Sequence, residues 1–292
     1  MHLLYLVFGT NIKNHFQANF SILSFLRQGD VLDGITIVTD APDFYHHLAE
    51  YVTVLPIDED RLREWKGEFG FFWRIKIKAL EYVAQQRPGT ALLYLDSDTF
   101  LYGSLPQMRA ALASGQSFMH EAEGALATLP SKTERRMWQQ VRQQTFGGVQ
   151  LHEKHVMWNA GVVGIPAVKA TETIGLALRI CDDMSRQQVT PRLIEQFALS
   201  VALAEMGPLQ AAAPYIGHYW STKEEWNEAI TAFLLESHLY QRSVADEVAA
   251  MATFDYQTIP VKKRVKSTQG RLEKLVRRLF PPQSITYITP AE

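Results

Sequence analysis

Residues 92–105 read LLYLDSDTFLYGSL: an apolar run, two carboxylates one residue apart, then a second apolar run. Ala91 to Leu95 has the composition of a buried strand. Residues two apart in a strand point the same way, so Asp96 and Asp98 face one side if the extended conformation persists past Leu95. In an open α/β sheet, ligands sit beyond the carboxyl ends of the strands. Two hard oxygen donors there suit Mg²⁺ or Mn²⁺, which complete their shell with water and substrate phosphates. Such a cation offsets the charge of a leaving diphosphate. An isolated Asp-Ser-Asp is also an ordinary way to close a strand, so its neighbours decide.

Working outward, residues 2–8, 35–39 and 52–56 are short β-rich runs, whereas 12–27 and 42–51 carry the three-to-four spacing of helices. A further helix over 74–86 leads through Arg87-Pro88-Gly89 into the central run. This alternation predicts a mainly parallel, Rossmann-like sheet flanked by helices. Beyond Leu105 the pattern is less regular. A polar helix is expected over 132–144, a strand over 156–165, and helices over 168–186, 192–205 and 223–249. Pro191 is placed to open the second of these three.

The composition is that of an ordinary globular chain: 292 residues, 47% hydrophobic and 21% charged. A net charge of −2 argues against a general nucleic-acid binder. Cys181 is the lone cysteine, so no internal disulfide is available. The start, MHLLYLVFGTN, has no basic leader, and no apolar segment approaches the roughly 20 residues needed to span a bilayer. A cytoplasmic protein is expected, with a body over 1–256 and a basic extension over 257–292. Within that extension, residues 261–280 hold eight Lys or Arg against the single Glu273. Leu272, Leu275, Val276 and Leu279 share one helical face there. Such a helix either lies on an anionic membrane surface or packs on the body with its charges in water.

LLYLDSDTFLYGSL resembles the Asp-X-Asp segment of GT-A fold glycosyltransferases, particularly the glycogenin-like family 8. The resemblance extends unevenly from about residue 3 to residue 226. It implies a GT-A type α/β fold with a helical C-terminal extension, and transfer of a sugar from a nucleoside diphosphate donor, commonly UDP, to an acceptor hydroxyl with retention. Asp96 and Asp98 would bind the cation. LVFGTN resembles the family's first strand and nucleotide-binding turn, which would place Thr10 and Asn11 near the base or ribose; Asn11 also reads as a helix N-cap. Thr39-Asp40 ends the second strand, where Asp40 reads as a cap for the helix at Pro42. In FFWRIKIKAL, Arg74 sits where family members place a basic residue, implying a phosphate or nucleotide contact. Lys76 and Lys78 read as solvated. VMWNAGVVGIP is similar to the family's Asn-x-Gly segment, with Asn159 presented to sugar or acceptor and Gly161 allowing close backbone approach. LIEQFALS resembles an Asp-Gln motif, with Glu195 where Asp is usual. By that likeness Gln196 lies beside the anomeric carbon and Glu195 supports the sugar. YIGHYWSTKEEW resembles the family's His…Lys segment, one residue shorter between its ends. It implies His218 as the third metal ligand and Lys223 on the departing diphosphate. The acceptor (glycan, lipid-linked or protein) is unreadable.

Other enzyme classes fit less well. A haloacid-dehalogenase-type phosphatase places Thr four residues after its first Asp, where this chain has Phe100, and it needs a later Gly-Asp that is missing. A nucleotidyltransferase would carry a Gly-rich basic loop after the first strand, which GTNIKNHF does not provide. A non-catalytic sugar-nucleotide binding protein has the same sequence requirements up to turnover.

Overall fold

The computed structural model describes residues 1–263 together with 272, 275, 276 and 278–280. The N-terminal half alternates strand and helix as its periodicity predicts. β1 (His2–Val7) is followed by α1 (Ile12–Leu26), whose cap Asn11 accepts from Lys13 N (3.2 Å). β2 (Gly34–Thr39) and β3 (Thr53–Pro56) flank a 3₁₀ turn, Pro42–Leu48, where a longer helix was expected. α2 (Glu59–Lys66), capped by Asp58, precedes α3 (Arg74–Gln86) and β4 (Leu92–Leu95).

After the aspartates come β5 (Thr99–Leu101), α4 (Leu105–Ala113), β6 (Ser117–Met119) and β7 (Ala122–Ala125). α5 (Lys132–Val141) leads to a small hairpin of β8 (Thr145–Phe146) and β9 (Val149–Gln150). The expected strand over 156–165 is two strands, β10 (Val156–Trp158) and β11 (Val162–Ile165). Between them Asn159 N donates to Glu121 O (2.9 Å) and Asp96 N to Gly161 O (2.8 Å), so the chain changes partners at Asn159-Ala160-Gly161. α6 (Ala170–Arg186), α7 (Ile194–Met206), β12 (Leu209–Ala211) and β13 (Ile216–His218) follow. The last expected helix is also two: α8 (Lys223–Leu239) and α9 (Val244–Ala250), separated where Gln241 adopts a left-handed φ of 51°.

The main sheet has seven strands in the order β12-β6-β11-β4-β1-β2-β3. Pairings β1–β2, β1–β4, β2–β3 and β6–β12 are parallel; β11 alone runs against its neighbours β4 and β6. A separate antiparallel pair joins β13 to β5, with His218 opposite Thr99. One core fills the face covered by α3, α6 and α7; the other lies under α1, α8 and α9. In the second, Trp226 is fully buried and stacks on Phe100 (4.5 Å between centroids) and Tyr219 (4.6 Å), which locks β5 and β13 to α8. Burying one such aromatic contributes about 3 kcal/mol.

Residues 257–263 return to the body: Trp226 Nε1 donates to Pro260 O (3.0 Å) and Lys263 N to Ser221 Oγ (3.1 Å). Leu272, Leu275, Val276 and Leu279 are all at least 47% exposed, and residues 264–271, 273, 274 and 277 of the expected basic helix lie outside the described residues. Among the described residues, no helix is long and apolar enough to cross a membrane.

Candidate active site

The carboxyl edge of β4 is where the aspartates fall, but they meet by a turn rather than by continued extension. Ser97 and Asp98 form that turn, and Thr99 Oγ1 donates back to Asp96 O (2.8 Å). β5 then leaves the sheet and carries β13 with it, so His218 arrives beside Asp98 with its Nε2 3.4 Å from Oδ1. One ligand atom from each of Asp96, Asp98 and His218 lies within 4.8 Å of the others.

These residues fit a divalent cation in their chemistry as well as their spacing. Two hard carboxylates and a borderline imidazole form a charge-compensating donor set. The imidazole is also oriented. Gly161 N donates to Asn159 Oδ1 (3.0 Å), which fixes that amide's oxygen, and His218 Nδ1 sits 3.0 Å from the same oxygen. Nδ1 therefore carries a proton, which directs Nε2 toward Asp98 and makes it the nitrogen that would face a cation. Close packing holds the ring there. A Cβ on Gly161 would lie 2.2 Å from His218 Cε1, and one on Gly217 would lie 2.3 Å from the Phe100 ring.

Cations surround the cluster. Lys223 Nζ, in the first turn of α8, pairs with Asp98 Oδ2 (2.8 Å). Burial pushes the Asp98 carboxyl up, but His218 and Lys223 outweigh it and hold it well below the usual carboxylate range. Lys76 was expected in water, yet it is 5% exposed, with Nζ 3.1 Å from Glu195 Oε1 and 3.4 Å from Asp96 Oδ1. Its ammonium also donates to Ala160 O (3.2 Å) and lies over the Tyr94 ring (4.7 Å to its centroid). Burial opposes this charge, but Asp96 and Glu195 more than restore it, so the ammonium's pKa is raised. Burial likewise pushes the Glu195 carboxyl up, against Lys76. Tyr94 completes the set by donating its hydroxyl to Asp96 Oδ1 (2.6 Å).

Asn159 and Gln196 meet at a residue the sequence did not single out. Glu123 accepts from Asn159 Nδ2 (3.3 Å) and from Gln196 Nε2 (3.1 Å), linking β7, the β10–β11 turn and α7. A cleft of about 320 Å³ opens on the other flank, lined by Phe8, Phe72, Trp73, Lys76, Asp98 and Lys223 among others.

Other residues that the sequence singles out sit elsewhere. Arg74 faces α6, where it makes a bidentate pair with Asp182 (2.6 and 3.0 Å) and also donates to Trp65 O (3.0 Å); a guanidinium committed in this way does not line the cleft, and Lys76 is the helix cation that does. Thr10 and Asn11 stand in the turn after β1, and Asn11 caps α1; neither lines the cleft, where Asn14 appears instead. Asp40 accepts from Gly9 N (2.9 Å) across the sheet edge rather than capping the turn at Pro42.

The fold and cluster thus define an α/β chain with a candidate cation site at the carboxyl edge of its sheet. Solved structures similar to it are GT-A glycosyltransferases. The galactosyltransferase LgtC, in complex with donor and acceptor sugar analogues, is 11% identical, covers 88% of this chain and 98% of its own, and has a TM-score of 0.49. An active-site mutant of LgtC is 13% identical over 72% of each chain, with a TM-score of 0.45. Mouse xyloside xylosyltransferase 1, in its apo form, is 11% identical over 72% of this chain and 84% of its own, with a TM-score of 0.44. No family model matches the chain, and no curated protein does.

Proposed function

We propose that this protein is a glycosyltransferase that moves a sugar from a nucleoside diphosphate sugar, with UDP as the nucleotide, to an acceptor hydroxyl. The observation that carries this reading is the convergence of Asp96, Asp98 and His218 at the carboxyl edge of the sheet, with Lys223 alongside. In the transfer, the acceptor oxygen bonds to the anomeric carbon. The sugar–phosphate bond breaks with its electron pair going to the diphosphate, and the hydroxyl proton ends on that diphosphate or on water.

Asp96, Asp98 and His218 Nε2 would hold Mn²⁺ or Mg²⁺, which supplies Lewis-acid neutralisation of the diphosphate when bound. Lys223 is 45% exposed on a helix's first turn, so it can turn its ammonium from Asp98 to a phosphate oxygen. Phe72 and Trp73 are 43% and 50% exposed at the cleft and offer flat faces to the nucleobase. Glu123, Asn159 and Gln196 present a carboxylate and two amides suited to sugar hydroxyls. Lys76 keeps Glu195 and Asp96 in place beneath them. Retention is the stereochemical outcome implied by the sequence resemblance; Gln196, an amide, is a poor nucleophile for a double displacement.

The test is donor hydrolysis. With Mn²⁺ or Mg²⁺, UDP-glucose or UDP-galactose should release UDP slowly, and Asp98→Asn should abolish the release. Equal release by the variant, or no shift of Tm by any UDP-sugar, contradicts the proposal.

A further inference from the structure

The inner stripe of a packed helix is normally apolar, but part of the inner face of α1 is polar. Gln17, Ser21 and Ser24 stand at i, i+4 and i+7 of that helix and are at most 1% exposed. Gln28 continues the stripe just past the helix end. Their partners are alternate residues of one segment. Ser97 Oγ donates to Gln17 Oε1 (3.3 Å), and Thr99 Oγ1 lies 3.2 Å from Ser21 Oγ. Leu101 N donates to Ser24 Oγ (2.9 Å). Gln28 closes the series by donating to Gly103 O (2.8 Å) and accepting from Leu105 N (2.9 Å). Among the described residues β5 has only β13 as a strand partner, and α1 supplies polar side chains to its other edge. The stripe thus fixes the register of residues 97–105, the segment that begins in the aspartate turn.

Gln17 also reaches α8, where its Nε2 donates to Asn227 Oδ1 (2.7 Å). Asn227 stands four residues after Lys223, on the same face one turn further along. Lys223 Nζ in turn pairs with Asp98 Oδ2 (2.8 Å). The two ends of one buried amide therefore hold the turn that carries Asp96 and Asp98 and the helix that carries Lys223. Gln17 does not line the cleft, so its influence on a ligand passes through those two elements. A buried amide is destabilising unless it is hydrogen-bonded, and Leu or Met would fill the same space without that requirement. What the amide adds is direction: two bonds that join residues 80 and 210 positions away in the chain.

We propose that Gln17 is a positioning residue that sets the Lys223 ammonium within reach of a diphosphate bound at Asp96 and Asp98. The ligand, a nucleoside diphosphate, rests on the transferase reading; the span from Ser97 through Gln17 to Asn227 does not.

The experiment is a calorimetric titration of the full chain with UDP at saturating Mn²⁺. Gln17→Met keeps the length of the side chain and removes both bonds, and it should weaken UDP binding about three- to tenfold. Asn227→Ala removes only the tie to α8, at a half-buried position where folding is less at risk, and should weaken UDP as well. Neither substitution should weaken UDP further in a Lys223→Ala background, because the effect passes through that ammonium. Unchanged affinity in both single variants, or losses of the same size with the Lys223 ammonium already removed, overturns the inference. Crystals of Gln17→Met without nucleotide give a second reading. The Lys223–Asp98 pair should open while the sheet stays in place, and an intact pair overturns the inference. Wild-type protein that binds no UDP sinks the transferase reading and leaves the crystals to decide the role of Gln17.

Discussion

Adding one methyl group at Gly161 tests whether His218 is held for ligation. The new Cβ would lie 2.2 Å from Cε1, 2.4 Å from Nδ1 and 2.8 Å from Nε2, where ordinary contact begins at 3.4 Å. The ring must retreat by more than an ångström. That shift opens the Nδ1–Asn159 hydrogen bond (3.0 Å) and carries Nε2 out of position beside Asp98. Overpacking of this kind costs about 1–3 kcal/mol, which in a chain of this size lowers Tm by roughly 2–10 °C. The functional loss should be larger. Disturbing the group that orients a metal ligand typically weakens metal affinity about 10–100-fold, so Mn²⁺ titration by calorimetry should show that loss in Gly161→Ala. Equal Mn²⁺ affinity and equal UDP-sugar hydrolysis in the variant would refute the reasoning, whatever its Tm.

Replacing Lys76 with Met leaves Asp96 and Glu195 facing each other across a buried site with no cation; a stability loss of about 3–5 kcal/mol is expected, and a urea midpoint within error of wild type would contradict it. His2 is fully buried, with Nε2 on Thr36 Oγ1 (2.8 Å), and burial, aided by Arg87, lowers its pKa from 6.5 to about 4. The unfolded chain binds that proton first as pH falls, so stability should drop between about pH 6.5 and pH 4 by on the order of 3 kcal/mol. His2→Asn should flatten that part of the pH profile, and an unchanged slope would rule out His2 as its source. Vesicle co-sedimentation tests the basic end: full-length protein should follow anionic vesicles at low salt, and a chain ending at Lys263, which keeps the segment tied to the body, should not. Equal sedimentation of the two discards a membrane role for residues 264–292.

Much of the sheet was legible because its strands and helices obey separate periods. α3 falls at Arg74–Gln86 as its pattern predicts, and the central run ends at the carboxyl edge where a ligand belongs. The partners of individual cations were not legible. Arg74 is held by Asp182, 108 residues away, and no local spacing announces that pair. Lys76 did carry a sign: it stands with Leu80 and Val83 at the i, i+4, i+7 positions of the buried stripe of α3. A lysine on such a stripe is either misplaced or paired, and here it is paired. Glu123 carried none, since only the pairing of β7 with β10 brings it to Asn159. The break at Asn159-Ala160-Gly161 was hidden because the residues around it, Val156 to Ile165, are all acceptable in a strand.

Anomalous diffraction from crystals soaked in Mn²⁺ and UDP tests most directly whether Asp96, Asp98 and His218 form a cation site. The expected result is a single strong peak at ligand distance from the Asp98 carboxylate and His218 Nε2, with the Lys223 ammonium moved off Asp98 toward the diphosphate. A map with no peak there at saturating Mn²⁺, and Lys223 still paired with Asp98, would contradict it.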